Sequence, residues 1–181
     1  MKKILVVVDM QNDFIDGALG SDHAAAIVDK VCEKIKNWDG HIVYTLDTHT
    51  PEDYPNTTEG KDLPVPHCMV GSDGHKLNSK VYDAIKKKIG RESDMLYHEF
   101  QKRCFGSMEL AACFGDQFDY VELIGLCTDV CVISNAVILR NWKETMRVVV
   151  DASCCAGVTP ESHKTALAAM KSCGIQVIGD E

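Results

Sequence analysis

The stretch LIGLCTDVCVISNAVILR, residues 123–140, holds a change of periodicity that decides the fold. The apolar run that reaches Gly125 closes a strand predicted over Tyr120–Ile124, and the apolar spacing after it predicts a helix over Val130–Trp142. Cys127 and Cys131 lie at the junction, four residues apart. A thiol there is open to metal binding, redox pairing, catalysis or plain packing.

Working outward, the same alternation recurs. Strands are expected at Ile4–Val8, His41–Leu46, Met95–Glu99, Arg147–Val150 and Ile175–Ile178, several of them continuous apolar runs of the kind buried on both faces of a parallel sheet. Helices are expected at Ala24–Trp38, Leu77–Ile89, Ser107–Phe114 and Pro160–Cys173. The last opens on Thr159 as N-cap with Pro160 in first place, and stops at Gly174. Strands alternating with helices imply right-handed βαβ units. The expectation is α/β: one three-layer α/β/α domain over residues 1–181. Neither GxGxxG nor GxxxxGK[ST] is present. Asp47–Asp73, rich in Pro, Gly, Thr and His, reads as one long functional loop.

Composition excludes several classes of partner. A net charge of −8 disfavours nucleic acid and anionic membrane, and no apolar run is long enough to span a bilayer. Lys86-Lys87-Lys88 reads as a solvated helix face. The opening MKKILVVVD mimics a signal peptide, but Asp9 interrupts it too early. Nine cysteines, an odd number without a dense framework, suggest free thiols in a reducing cytoplasm.

Sites in parallel α/β sheets form at the carboxyl ends of strands. That rule brings Asp9, Asp47, the Lys102 segment and the two cysteines to one rim. If Thr128 or Asp129 caps the following helix, Cys131 lies in its first turn, where N–H groups and the helix dipole favour a thiolate; a buried inert cysteine is the alternative. Asp9 is the better base, with Asp13 and Asp16 read as loop and turn residues. Lys102 and Arg103 compete for the cationic role, and sequence alone does not separate them. Asp47 and His49 project to the same side of an extended segment, and His67 or Glu59 could complete a site for Zn²⁺, Mn²⁺ or Fe²⁺; local turn bonding is the alternative. C-x-x-x-C is a poor zinc motif, and Cys154-Cys155 reads as strand-end packing.

Taken together, VVVDMQNDF, LDTH with PHCMVGSDG, FQKRCFGSMELA, LIGLCTDVCVISNA and VVVDASCCAGVTPESHKTAL resemble, in order, the isochorismatase-like cysteine hydrolases and within them the nicotinamidase branch. The resemblance implies a six-stranded parallel sheet and a triad of Asp9, Lys102 and Cys131. It also implies a cis Leu126–Cys127 peptide and an oxyanion hole from the N–H groups of Cys127 and Cys131. Asp47, His49 and His67, with Glu59 as a fourth, would hold a divalent metal ion, most simply zinc, that clamps a small amide substrate. Phe14 would pack on its ring, and dimers or tetramers would be common. The implied chemistry is hydrolysis of nicotinamide to nicotinic acid and ammonia, with another small amide or carbamoyl compound as the alternative substrate. Moving a proton from an ordinary cysteine, about 8.5, to an ordinary aspartate, about 3.9, is uphill by roughly 6 kcal/mol. The resemblance therefore leads us to expect an ionised sulfur sustained by Lys102 and an Asp9 raised by burial. Two positions depart from the family pattern: Thr48 replaces a common tryptophan, and Cys104-Phe105-Gly106-Ser107 replaces a common aromatic.

Overall fold

A computed structural model describes residues 2–90 and 97–180. One six-stranded, wholly parallel sheet forms the centre, in the order β3-β2-β1-β4-β5-β6. The strands are β1 (Lys3–Val8), β2 (His41–Asp47), β3 (Tyr97–Lys102), β4 (Tyr120–Leu126), β5 (Arg147–Ala156) and β6 (Gln176–Ile178). β1, β2 and β4 are almost wholly buried, as their unbroken apolar runs require.

Helices cover both faces. α1 (Asn12–Ile15), α2 (Asp22–Asn37) and α4 (Ser79–Ile89) pack on the side of Leu5, Val7 and Ile124. α5 (Met108–Phe114), α6 (Ile133–Trp142) and α7 (Pro160–Ser172) pack on the side of Ile4, Val6, Val8 and Leu123. The α2 spacing places Ile27, Val28, Val31 and Ile35 against the sheet. α7 starts on a reciprocal capping box between Thr159 and Ser162.

Several boundaries differ from expectation. β3 runs to Lys102 rather than stopping at Glu99, and the expected residues Met95 and Leu96 lie outside those described. The Asp47–Asp73 segment is not one loop. Asp47 ends β2, a 3₁₀ turn covers Tyr54–Asn56, and α3 (Thr58–Asp62) follows, capped by Thr57. β5 extends to Ala156, so Cys154 and Cys155 are within a strand and enter opposite cores. Among the described residues no helix is long and apolar enough to cross a membrane.

Candidate active site

The four strands β3-β2-β1-β4 are neighbours and end at one level, which assembles the rim. Asp47 pairs with Lys102 across β2–β3, and Val8 pairs with both Thr45 and Gly125. Gly125 has φ +119°, and a Cβ there would lie 2.1 Å from Val8 O, so only glycine lets β4 close on β1 at this point. Asp9 leaves β1 in the left-handed region, φ +46°, which aspartate tolerates better than most residues.

Lys102 Nζ is the hub. It lies 2.7 Å from Asp9 Oδ2, 3.2 Å from Asp47 Oδ1 and 3.4 Å from Cys131 Sγ, and all four residues are at least 95% buried. The competing Arg103 is exposed and pairs with Asp53. Thr45 Oγ1 donates to Asp9 Oδ1 at 2.6 Å.

Burial pushes the Lys102 ammonium down, but Asp9, Cys131 and Asp47 outweigh it and hold the lysine protonated well above its usual range. Burial raises Asp9, which Lys102 only partly offsets. The expected ionised sulfur is corrected. Burial pushes the Cys131 thiol well up, and one ammonium does not outweigh that desolvation together with the nearby Asp9 and Asp47 carboxylates. Burial thus favours the thiol form of Cys131 beside Lys102 and Asp9.

The turn carrying Cys131 also differs from expectation. Cys127 stands in the N-cap position, and its carbonyl accepts from Val130 N and Val132 N around a π-turn over Thr128–Val132; the α-helix begins only at Ile133. Neither proposed cap works as one. Thr128 Oγ1 pairs with His163 Nδ1 at 2.8 Å, and Asp129 Oδ1 accepts from Val158 N at 3.0 Å, so both dock the turn on the segment after β5. The Leu126–Cys127 peptide is cis. Asn135 Nδ2 donates to Cys131 O at 2.8 Å, which tethers the turn from α6.

Asp47, His49, Glu59 and His67 form a second cluster on the other side of Asp47, with one ligand atom from each all within 4.8 Å of one another. Asp47 Oδ2 lies 2.9 Å from His49 Nε2 and 3.4 Å from His67 Nε2, and Glu59 Oε1 lies 3.4 Å from His67 Nε2. Pairing of the His49 backbone with Cys68 and Val70 brings His67 back onto His49. Val65 O can only accept, so His67 Nδ1 donates to it at 2.8 Å and Nε2 is the nitrogen turned to Asp47 and Glu59.

These residues fit a divalent cation. Ligands about 2.0–2.2 Å from zinc stand roughly 3–3.5 Å from one another, and the contacts between the imidazoles and carboxylates here, 2.9–3.7 Å, lie around that spacing. Two carboxylates balance two positive charges. His49 Nε2 is buried and makes no hydrogen bond, and a cation among the four atoms would satisfy it. Burial alone would lower the His67 pKa, yet Asp47, Glu59 and the Val65 carbonyl hold it up to about 10, a measure of how strongly the cluster demands positive charge.

Several contributors were missed in the sequence. Tyr54 packs against both histidines, with ring centroids 4.6 Å from His49 (tilted) and 5.2 Å from His67 (edge-on), and its hydroxyl donates to Leu63 O. Asp13, read as a loop residue, accepts from Cys68 N at 2.7 Å through Oδ2 and so holds the turn after His67. Gln11, fully buried, hydrogen-bonds the Asp47 backbone. No local periodicity marks these three residues: Gln11 and Asp13 act across a long sequence separation, and Tyr54 acts only where its loop folds back on the two histidines. Phe14 lies beside His67, with ring centroids 5.5 Å apart. Thr48 is turned inward, bonded to Leu46 O and His75 Nε2.

The family model described as Isochorismatase domain matches residues 3–181. An uncharacterized isochorismatase family protein, PncA, of Bacillus subtilis is 32% identical over 98% of this chain and 99% of its own. The pyrazinamidase/nicotinamidase of Streptococcus mutans superposes with a TM-score of 0.82 at 26% identity, covering 98% of this chain and 100% of that one. The pyrazinamidase of Pyrococcus horikoshii, solved in complex with zinc, superposes with a TM-score of 0.76 at 27% identity, covering 98% and 99%. With a sheet, a rim and a sequence that agree along almost its full length, this chain belongs to the isochorismatase domain family.

Proposed function

We propose that this chain is a cysteine amidohydrolase of the nicotinamidase branch, converting nicotinamide to nicotinic acid and ammonia, as in NAD salvage. The observation that supports it most is a buried ammonium in contact with a carboxylate, a thiol and the carboxylate of a neighbouring His/Asp/Glu cluster. The names of the Streptococcus and Pyrococcus relatives agree with it.

In this reading Asp9 takes the Cys131 proton as sulfur adds to the amide carbonyl carbon. Lys102 offsets the charge that passes through the sulfur, so no resting thiolate is needed. The N–H groups of Cys127 and Cys131 hold the tetrahedral oxyanion. Asp9 then gives the proton to the departing nitrogen, the C–N bond breaks and ammonia leaves a thioester. Water adds to the thioester, yielding one proton to Asp9. The C–S bond breaks, sulfur recovers that proton and the acid is released. Asp47, His49, His67 and Glu59 would hold a divalent ion, for which zinc suits the donor set better than manganese or iron, and which when bound anchors the ring nitrogen. Phe14 lines the ring.

A second reading, an amidase for another small amide or carbamoyl compound, is favoured by Thr48, whose small inward side chain offers no aromatic wall. Residues 1–181 are taken as one catalytic domain that self-associates in a reducing cytoplasm.

An amide panel followed by ammonia release tests the proposal. Nicotinamide and pyrazinamide should be turned over, and Cys131→Ala should abolish turnover. Release only from carbamoyl compounds would favour the second reading, and release that survives Cys131→Ala would end both.

A further inference from the structure

The last rung of the sheet beside the site is built by a side chain. In a parallel strand, N–H and C=O of one residue point to the same neighbour. Thr45 O receives Asp9 N on the β1 side of β2, so the Asp47 backbone, two residues on, points that way too. By then β1 has ended at Val8 and the chain has turned at Asp9. Gln11 fills the gap. Asp47 N donates to Gln11 Oε1 at 2.7 Å, and Gln11 Nε2 donates to Asp47 O and His75 O, both at 2.9 Å. The opposite amide orientation would set donor against donor and acceptor against acceptors, so these partners fix it.

Asp47 is also the residue that must be aimed most carefully. Its Oδ1 is held by Lys102 and its Oδ2 faces His49 and His67. We infer that Gln11 is a positioning residue: by standing in for the missing β1 backbone, its carboxamide aims Asp47 so that one carboxylate serves both the cation cluster and the Lys102–Cys131 pair. The inference rests on the reading of the four-residue cluster as a zinc site.

The test is zinc affinity of Gln11→Met, which keeps the side-chain volume and removes both polar contacts, by chelator competition on folded, metal-stripped protein. Loss of a supporting hydrogen bond to a metal ligand typically weakens binding by about 10–100-fold, and a fall of that size is expected. The gain in thermal midpoint on adding zinc should shrink. At saturating zinc, kcat for nicotinamide should stay depressed, because Asp47 also loses its aim at Lys102. A purely structural role would lower the thermal midpoint yet leave affinity per folded molecule unchanged; affinity within twofold of the parent overturns the inference. Should Gln11→Met fail to fold, Gln11→Glu is measured by the same criterion, since it keeps the acceptor for Asp47 N and loses both donors. A parent protein that binds no zinc overturns the underlying site reading instead, so the two failures are distinguishable.

Discussion

Two of the protein's lysines, one buried and one half-buried, are each set between two carboxylates, and they have different consequences. Lys102, at the end of β3, touches Asp9 and Asp47. Lys34, on α2, reaches Glu122 of β4 and Asp151 of β5. The formal charges are the same. The surroundings are not. Around Lys34 the remaining bonds come from inert groups: Tyr120 donates to Glu122 Oε2 at 2.7 Å, and Ser153 Oγ and N donate to Asp151 Oδ1 at 2.6 and 3.1 Å. Glu122 lies within β4, beneath α2. Around Lys102 the third contact is a thiol, and Asp47 opens onto two imidazoles. A charge cluster within the strands ties a helix to the sheet. The same cluster at their carboxyl ends, where the chain turns away and leaves room for a ligand, is equipped for chemistry.

The largest expected difference between the two is catalytic. Lys102→Met should reduce kcat/KM for ammonia release by about 10³-fold or more, since it removes the cation that touches a sulfur that must carry charge. Lys34→Met should stay within about threefold, because distant sites act independently. Comparable losses in both would erase the distinction. Stability should not separate them in this way, because removing either lysine strands two carboxylates. Lys34→Met leaves Glu122 and Asp151 facing each other and should cost roughly 3 kcal/mol in urea unfolding, at the lower end for a broken buried pair because Lys34 is partly exposed.

A smaller effect concerns the thiol. With its pKa raised by burial, Cys131 in substrate-free protein should be alkylated by iodoacetamide more slowly at neutral pH than a small free thiol, with a rate still climbing above pH 9. A plateau near neutral pH, followed by mass spectrometry of the Cys131 peptide, would restore the resting thiolate. The smallest effect is acid sensitivity at Lys34. Although burial raises Asp151, the Lys34 and Ser153 contacts win and depress its pKa. The folded state therefore gains stability above the unfolded value, about 3.9, and loses it as pH falls through the lower folded value. The urea midpoint should drop on acidification below about pH 4, and Lys34→Met should drop less.

Sequence by itself determined the layered α/β architecture, because unbroken apolar runs alternating with 3.6-period segments have few other ways to bury both patterns. It also placed Asp9, Asp47 and Cys131 at one rim, since polar residues that end buried strands lie at the same edge of a parallel sheet. The choice of Lys102 over Arg103 came from neither periodicity nor spacing. It depended on β3 running three residues further than its apolar pattern, so that Lys102 pairs with Asp47 and Arg103 falls outside. Gln11, Asp13 and Tyr54 were illegible for a related reason: each is an ordinary polar or aromatic residue until the fold brings it against residues 47, 68 or 49. The protonation of the sulfur was likewise decided only in three dimensions. A helix start and a lysine, read locally, favour a thiolate, whereas complete burial beside two carboxylates holds the thiol. Desolvation and through-space charge depend on what surrounds an atom, and the order of residues along the chain does not contain that.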